Sequence, residues 1–379
     1  MAIYLGVFFL SYIFCLCGEK LKRKNEKSSA ANLFLIISVL LVAILAGLRD
    51  ISVGSDTISY TTYYIEYGSK FTFKEFMSFF GQVYEPGFNV FGYIIGVLFH
   101  HNSNWFMFWC SLVIYGFTMK TFCYYKNKCS ISMAWLFFLM LNCTEALNIT
   151  RHYMAMAIAV YAFCFVFENK KRAFVIFTFI AMSFHVTAVC NFALFFVYQG
   201  LKKKDTQAFK LLVLAITILL CVSYNYIFEL LAVFDFLKEK LAFYAQGRAF
   251  SFQLNPFLIR LPFLLLILFH KQNFGRKVIR TNLEEKDKIF GDFCFLVVII
   301  EMILAQLRGI DVTLYRLTTY AMSIRYVSYS RILDISSYRA NRLAAHLMAY
   351  GYMIIVFLYW VVILNSASIY PYKSAILGI

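Results

Sequence analysis

A chain of 379 residues that is 61% hydrophobic, 20% aromatic and only 15% charged, with a mean hydropathy of +0.69, has too little polar surface for a water-soluble fold. Its apolar residues come in repeated runs of helical length without ten-residue alternation. That excludes an outer-membrane barrel and predicts an all-α, polytopic transmembrane helical bundle of about 10–12 segments, one or two of them short or re-entrant. The net charge of +16 is spread in short basic clusters between apolar runs, the signature of positive-inside topology and attraction to anionic lipid rather than of nucleic-acid binding.

Residues 1–379 read as a single integral membrane domain, with basic cytoplasmic loops expected at 18–30, 199–210 and 271–289. Met1–Cys17 lacks a basic start and a small-residue cleavage site and precedes Lys20, Lys22, Arg23, Lys24 and Lys27, so it reads as a retained first span with its N-terminus outside. A second span, Leu33–Leu45, delivers Gly47-Leu-Arg49-Asp50 and then Gly54-Ser-Asp56-Thr to the start of an external loop, 49–85. Asp50, Asp56, Glu66, Glu75 and Glu85 outnumber Arg49, Lys70 and Lys74 there, as an outer face requires. Gly54 tolerates positive φ, and Ser55 and Asp56 can bond their own backbone, so a carboxylate is held near the bilayer surface. Two readings stay open: a helix-end salt bridge with an N-cap, or an active-site carboxylate facing a lipid-borne substrate. Tyr60, Tyr63, Tyr64, Tyr67 and Tyr84 suit an interfacial belt and also sugar faces, and Phe71–Phe80 suits a flat interfacial helix.

Glu85-Pro-Gly-Phe88 opens a short apolar segment, Gly87–Phe99, whose crossing the charge pattern does not decide. His100 and His101 are adjacent, without metal-ligand spacing. Spans follow at Trp105–Phe122, Ile131–Leu147 and His152–Phe167. Ala173–Tyr198 lies between two basic clusters, yet it makes only about 39 Å of helix, too little for two crossings of a ~30 Å core. A shallow hairpin or two short helices, turned at Ser183-Phe-His185, is predicted. The second half offers Leu211–Ile227, Pro256–His270, Phe290–Leu307, Val312–Tyr329 and Leu343–Leu364, with 228–255, 308–311 and 365–379 outside and 331–342 inside. The ten cysteines show no paired spacing and read as small buried hydrophobes.

Charges near membrane depth are costly and tend to mark substrate paths. Arg49, Asp50, Asp56, Glu85, Arg151, His152, His185, Arg308 and Asp311 gather on the outer side of this topology, with Arg316 and Tyr320 one to three turns into a span. Arg151 opens a helix, where a cation is unfavourable by a few tenths of a kcal/mol or more. An anionic ligand would offset that, and so would a carboxylate such as Asp56 or Glu145. His185 fits either a satisfied buried histidine or an acid–base group, and Arg316 either pairs with Asp311, snorkels or binds substrate. The chain has no nucleotide-binding glycine loop, Walker motif or zinc spacing, so no metal or cofactor is expected and the substrate is expected to arrive attached to lipid.

Gly47-Leu-Arg49 through Gly54-Ser-Asp56-Thr with Tyr60, then Glu85-Pro-Gly-Phe88, Thr150-Arg151-His152-Tyr-Met-Ala155 and Phe184-His185-Val-Thr-Ala188 resemble, in order and spacing, the EpsG family of Wzy-like exopolysaccharide, capsule and O-antigen polymerases. Tyr315-Arg316-Leu317, Tyr320 and Tyr370-Pro-Tyr372 extend the likeness into the second half. The family pattern carries Arg-Gln where this chain has Arg151-His152. The resemblance implies a multi-pass enzyme of the bacterial plasma membrane that joins undecaprenyl-pyrophosphate-linked repeat units on the outer face. By fold-level analogy its acidic first external loop is similar to that of C-type glycosyltransferases. On that basis Arg49, Arg151 and Arg316 are expected to hold pyrophosphate, with Tyr60, His152 and Tyr320 also contacting substrate. Asp56 or His185 is expected to act as base and Glu85 to orient the acceptor. The expected partners are the lipid-linked oligosaccharide and membrane lipids, with a chain-length regulator and a flippase as candidates and no nucleic acid. Two other classes fit an array of intramembrane Arg and His: a transporter of lipid-linked oligosaccharide and a membrane glycan acyltransferase.

Overall fold

The structure, a computed structural model, describes residues 1–204, 206–224, 226, 251–269, 283–334 and 339–379. Among them every regular element is helical, and seven helices are long and apolar enough to cross a membrane, with three shorter apolar helices beside them. Contacts divide the chain into two compact units: Met1–Asn191 with Ser336–Ile379, and Phe192–Ile335.

In the first unit α1 (Ala2–Lys24) and α2 (Ser29–Gly47) form a hairpin. The basic stretch expected as a loop at 18–30 is helical as far as Lys24, because cations at a helix C-terminus face the negative dipole end and Arg23 pairs with Glu19 one turn back. Ser28 then caps α2 by accepting the Ala31 N–H at 3.2 Å. At mid-length Ser11 and Ser38 exchange hydroxyl-to-carbonyl bonds of 2.7 and 2.8 Å, and Trp135 donates to Ser11 at 2.9 Å. These polar links tie α1, α2 and α7 together in a region where apolar packing has no preference for protein over lipid. Glu19 reaches α7 as well, accepting from the Ser132 N–H at 2.8 Å at the start of that helix.

The loop between α2 and α6 contains three helices: α3 (Thr57–Tyr60), continued by a π-helical turn over Thr61–Glu66, then α4 (Phe73–Phe80) and α5 (Pro86–Leu98). A capping box of Thr72 and Glu75 starts α4. Its apolar face turns onto Tyr64 and Tyr93, so the expected interfacial helix buries Phe76 and Phe80 while Phe73 and Phe79 stay exposed. Tyr64 is the hub: it stacks on Phe88 and donates its hydroxyl to the Phe88 carbonyl at 3.1 Å. At about 20 Å, the thirteen-residue α5 is shorter than a ~30 Å hydrocarbon core.

Helices α6 (Ser103–Tyr124), α7 (Ile131–Asn148) and α8 (Thr150–Phe167) make the centre of the unit, α7 and α8 being buried along most of their length. One residue, Ile149, separates α7 from α8. The run after Lys170 breaks where its length requires. Helix α9 (Lys171–Phe184) ends at His185, whose φ of −158° and ψ of 121° are extended, and a 3-10 turn over Val186–Val189 leads into α10 (Cys190–Lys203).

In the second unit lie α11 (Gln207–Val222), α12 (Leu254–Phe269), α13 (Leu283–Leu304), α14 (Val312–Tyr315) and α15 (Thr319–Leu333). The expected continuous span Val312–Tyr329 is broken by a 3-10 turn at Arg316–Thr318. There the Thr318 and Thr319 hydroxyls each donate at 2.8 Å to the carbonyl three residues back, competing with the helical ladder. A further helix, α16 (Arg339–Leu358), returns the chain to the first unit. The expected connections 228–255, 271–289 and 331–342 fall partly outside the described residues, as do position 205 of the 199–210 loop, positions 225 and 227 of the span Leu211–Ile227 and the last residue of Pro256–His270. All ten cysteines are free thiols.

Candidate active site around the α7–α8 junction

Arg151 is the second residue of α8, so its cation stands at the positive end of that helix's dipole. The offsetting charge is Glu85, the residue that precedes α5, whose Oε2 accepts from Arg151 Nη1 in an ion pair with both side chains about four-fifths buried. Neither Asp56 nor Glu145 takes that part in the ion pair; Glu145 accepts the Tyr153 hydroxyl at 2.8 Å. The other oxygen of Glu85 accepts the Val186 N–H at 3.0 Å, so one carboxylate joins α5, α8 and the bend after α9. This junction depends on Gly87, where a Cβ would stand 2.8 Å from the Ser183 carbonyl oxygen. The Arg151 guanidinium carbon lies 4.9 Å from the centroid of the Tyr84 ring, and its Nε is buried with no hydrogen-bond partner.

The bend supplies two imidazoles. His185 Nδ1 accepts the Thr187 N–H at 3.3 Å and lies 2.8 Å from the Thr187 hydroxyl, which is in turn 3.4 Å from His152 Nδ1. The two rings meet edge to face at 4.9 Å, with His152 only 2% exposed. Because His185 Nδ1 is an acceptor, the proton of its neutral ring sits on Nε2.

On the α7 side Asn148 Oδ1 accepts the Asp56 N–H at 2.8 Å and the Ser55 hydroxyl at 3.2 Å. Gly54, at φ +102°, makes the turn that brings them there, a conformation that disfavours any Cβ. Asp56 and Arg151 both act on the Tyr84 phenol. Burial raises its pKa above the ordinary value, the Arg151 charge opposes the rise and the Asp56 charge adds to it. Tyr60 stands against the same ring, with centroids 6.2 Å apart. Asp56, Tyr60, Glu85, Arg151, His152 and His185 are thus gathered around one helix junction.

Arg49 sits beneath this group. It makes no salt bridge with Asp50 but turns inward at 2% exposure, donating from Nη2 to the Leu147 carbonyl at 2.7 Å, while Nε and Nη1 have no hydrogen-bond partner. Burial holds its pKa below the usual guanidinium value. Its cation meets the negative end of α7, a favourable placement that fixes the turn from which Asn148 and Arg151 project. Arg316 and Tyr320 belong to the second unit, Arg316 half-buried in the 3-10 turn and Tyr320 buried in α15. Among the described residues no group of three His, Cys, Asp or Glu side chains could hold a metal ion.

Sequence reasoning missed Asn148, and it also missed a buried charge cluster in the second unit. There Glu301 Oε1 accepts from Arg260 Nε at 2.7 Å and from Arg325 Nη1 at 2.9 Å, and Arg260 Nη2 also donates to the Tyr315 hydroxyl at 3.1 Å. Lone charges within apolar runs, Arg260 in α12 and Glu301 in α13, were the signal available.

An all-helical, multi-pass membrane protein with a cation–carboxylate–imidazole cluster at a helix junction is the class that fold and site define together. The chain belongs to the EpsG family, whose model matches residues 32–374; members of that family are Wzy-like polymerases, which supports a polysaccharide polymerase-like function in general. No curated protein and no solved structure matches the chain.

Proposed function

We propose that the protein is a glycosyltransferase of the bacterial plasma membrane that polymerises undecaprenyl-pyrophosphate-linked oligosaccharide units at the extracytoplasmic face, for exopolysaccharide, capsule or O-antigen. The observation that carries this reading is the convergence, in an EpsG-family chain, of Arg151 with a buried, unsatisfied Nε, the Asp56 turn and two imidazoles on the α7–α8 junction. In the proposed reaction a hydroxyl of the incoming unit attacks the anomeric carbon of the growing glycan and gives its proton to Asp56. The bond from that carbon to the pyrophosphate oxygen breaks, its electron pair leaves with the pyrophosphate, and Arg151 meets the new negative charge. His185 is the alternative base; each candidate has a local donor, Ser55 for the Asp56 carboxylate and Thr187 for His185 Nδ1. Glu85 holds Arg151 in place, and Tyr60 is the ring proposed to meet a sugar. A flippase that delivers the units and a regulator that sets chain length are the protein's candidate partners.

Purified protein incubated with lipid-linked repeat units is expected to yield a ladder of products differing by one unit, lost in Arg151→Ala. Unmodified units that only change sides of a vesicle would establish transport instead. A single mass increment with an acyl donor would establish acylation.

A further inference from the structure

The turn that presents Asp56 does not support itself. Within it, Ser52 and Val53 donate back to Asp50 and Thr57 to Gly54; apart from the exposed Ile51, that leaves the N–H groups of Asp50, Gly54, Ser55 and Asp56 looking outward. Asn148 takes that of Asp56. The remaining three are accepted by the segment after α16: Asp50 by the Lys373 carbonyl at 2.8 Å, Gly54 by Ser368 at 3.0 Å and Ser55 by Ala367 at 2.9 Å. Gly54 is buried, so its donor left unpaired would be costly, and the bonds from Asp50 and Ser55 add to its hold on where the turn can sit.

The accepting segment is itself held in an unfavourable shape. Asn365, Ala367 and Ser368 have φ of 42°, 61° and 53°, the left-handed region that costs a non-glycine residue of order 1 kcal/mol or more. Two tyrosine hydroxyls fasten it, Tyr4 donating to the Ile369 carbonyl and Tyr372 to the Leu45 carbonyl, each at 2.9 Å. Two of the three strained residues, Ser368 and Ala367, are the ones whose carbonyls meet Gly54 and Ser55.

We propose that Asn365–Lys373 is a strap that positions the catalytic turn, with Ala367, Ser368 and Tyr372 acting as positioning residues through Asp56. Its catalytic consequence rests on the polymerase reading above; its hold on the turn does not. Full-length protein in lipid nanodiscs tests both. Ala367→Val places a β-branched residue where φ is positive and so moves the carbonyl that receives Ser55. Tyr372→Phe removes one hydroxyl only. Amide exchange within 50–56 is expected to quicken by about ten-fold in Ala367→Val and a few-fold in Tyr372→Phe, with the spans unchanged. The rate of ladder formation at saturating substrate should fall in the same order while KM stays within about two-fold. Ala367→Gly, which tolerates the conformation, should keep both properties. Unchanged exchange at Gly54 and Ser55 in both valine and phenylalanine variants would overturn the proposal, as would loosened exchange with a full turnover rate. A wild type that makes no ladder would overturn the polymerase reading alone, and the exchange comparison would still decide whether the strap holds the turn. Should Ala367→Val fail to fold, Tyr372→Phe carries the same comparison.

Discussion

At the scale of single residues, the site is a matter of which groups already have partners. Glu85 is engaged by both oxygens, by Arg151 and by the Val186 N–H, so its removal should act through Arg151. Glu85→Gln keeps an acceptor for Val186 but withdraws the counter-charge; ladder formation is expected to drop by one to two orders of magnitude, and Arg151→Lys, which loses the planar fork, by a comparable factor. Asn148→Ala strands the Asp56 N–H and should destabilise the turn by about 1–3 kcal/mol, read as faster exchange at that amide. Acid should loosen the same turn at its other end. The Ser52 N–H holds the Asp50 carboxyl below the ordinary carboxylate range, with the Lys373 charge acting in the same direction. A group lowered on folding contributes its stabilisation above its unfolded value and loses it as pH falls through the folded one. Exchange at Ser52 should therefore rise only below about pH 4. The partner of Arg151 could not be read from the sequence, because nothing local marks a pair 66 positions apart; Glu145, nearer in the chain, faces Tyr153.

At the scale of elements, length and turn chemistry were legible and long-range contact was not. The break at His185 follows from arithmetic, since Ala173–Tyr198 is too long for one crossing and too short for two. The Gly54 turn and the start of α5 at Pro86 likewise follow from residue type. Charge, by contrast, reports a side of the membrane and not a secondary structure, which is why Lys20–Lys24 extends α1 instead of forming a loop. The support from residues 365–373 was invisible for a further reason: it works through backbone carbonyls, which every residue type carries. Helix α5 offers the sharpest test at this scale. Gly87→Ala would drive a methyl against the Ser183 backbone, forcing α5 and the bend apart and separating Glu85 from Val186. Ladder formation should fall by at least ten-fold, whereas Gly116→Ala, which meets nothing within 4 Å, should be silent.

At the scale of the whole molecule, the second unit carries its own buried electrostatics. Glu301 is fully buried between Arg260 and Arg325, and its loss would leave two guanidinium groups without their common counter-charge. Glu301→Gln is expected to cost about 3–5 kcal/mol, seen as a lowered melting temperature in detergent, with Glu301→Asp milder. The first unit has a different peculiarity: its two pieces, Met1–Asn191 and Ser336–Ile379, come from opposite ends of the sequence. Ribosomes add residues in order, so while most of the helices are already in the bilayer the Gly54 and Ser55 amides still await their acceptors. A nascent protein arrested before Asn365 would possess Arg151, Glu85 and both histidines yet hold Asp56 on an unfastened tether. Competence would then switch on only once residues 365–373 have been added.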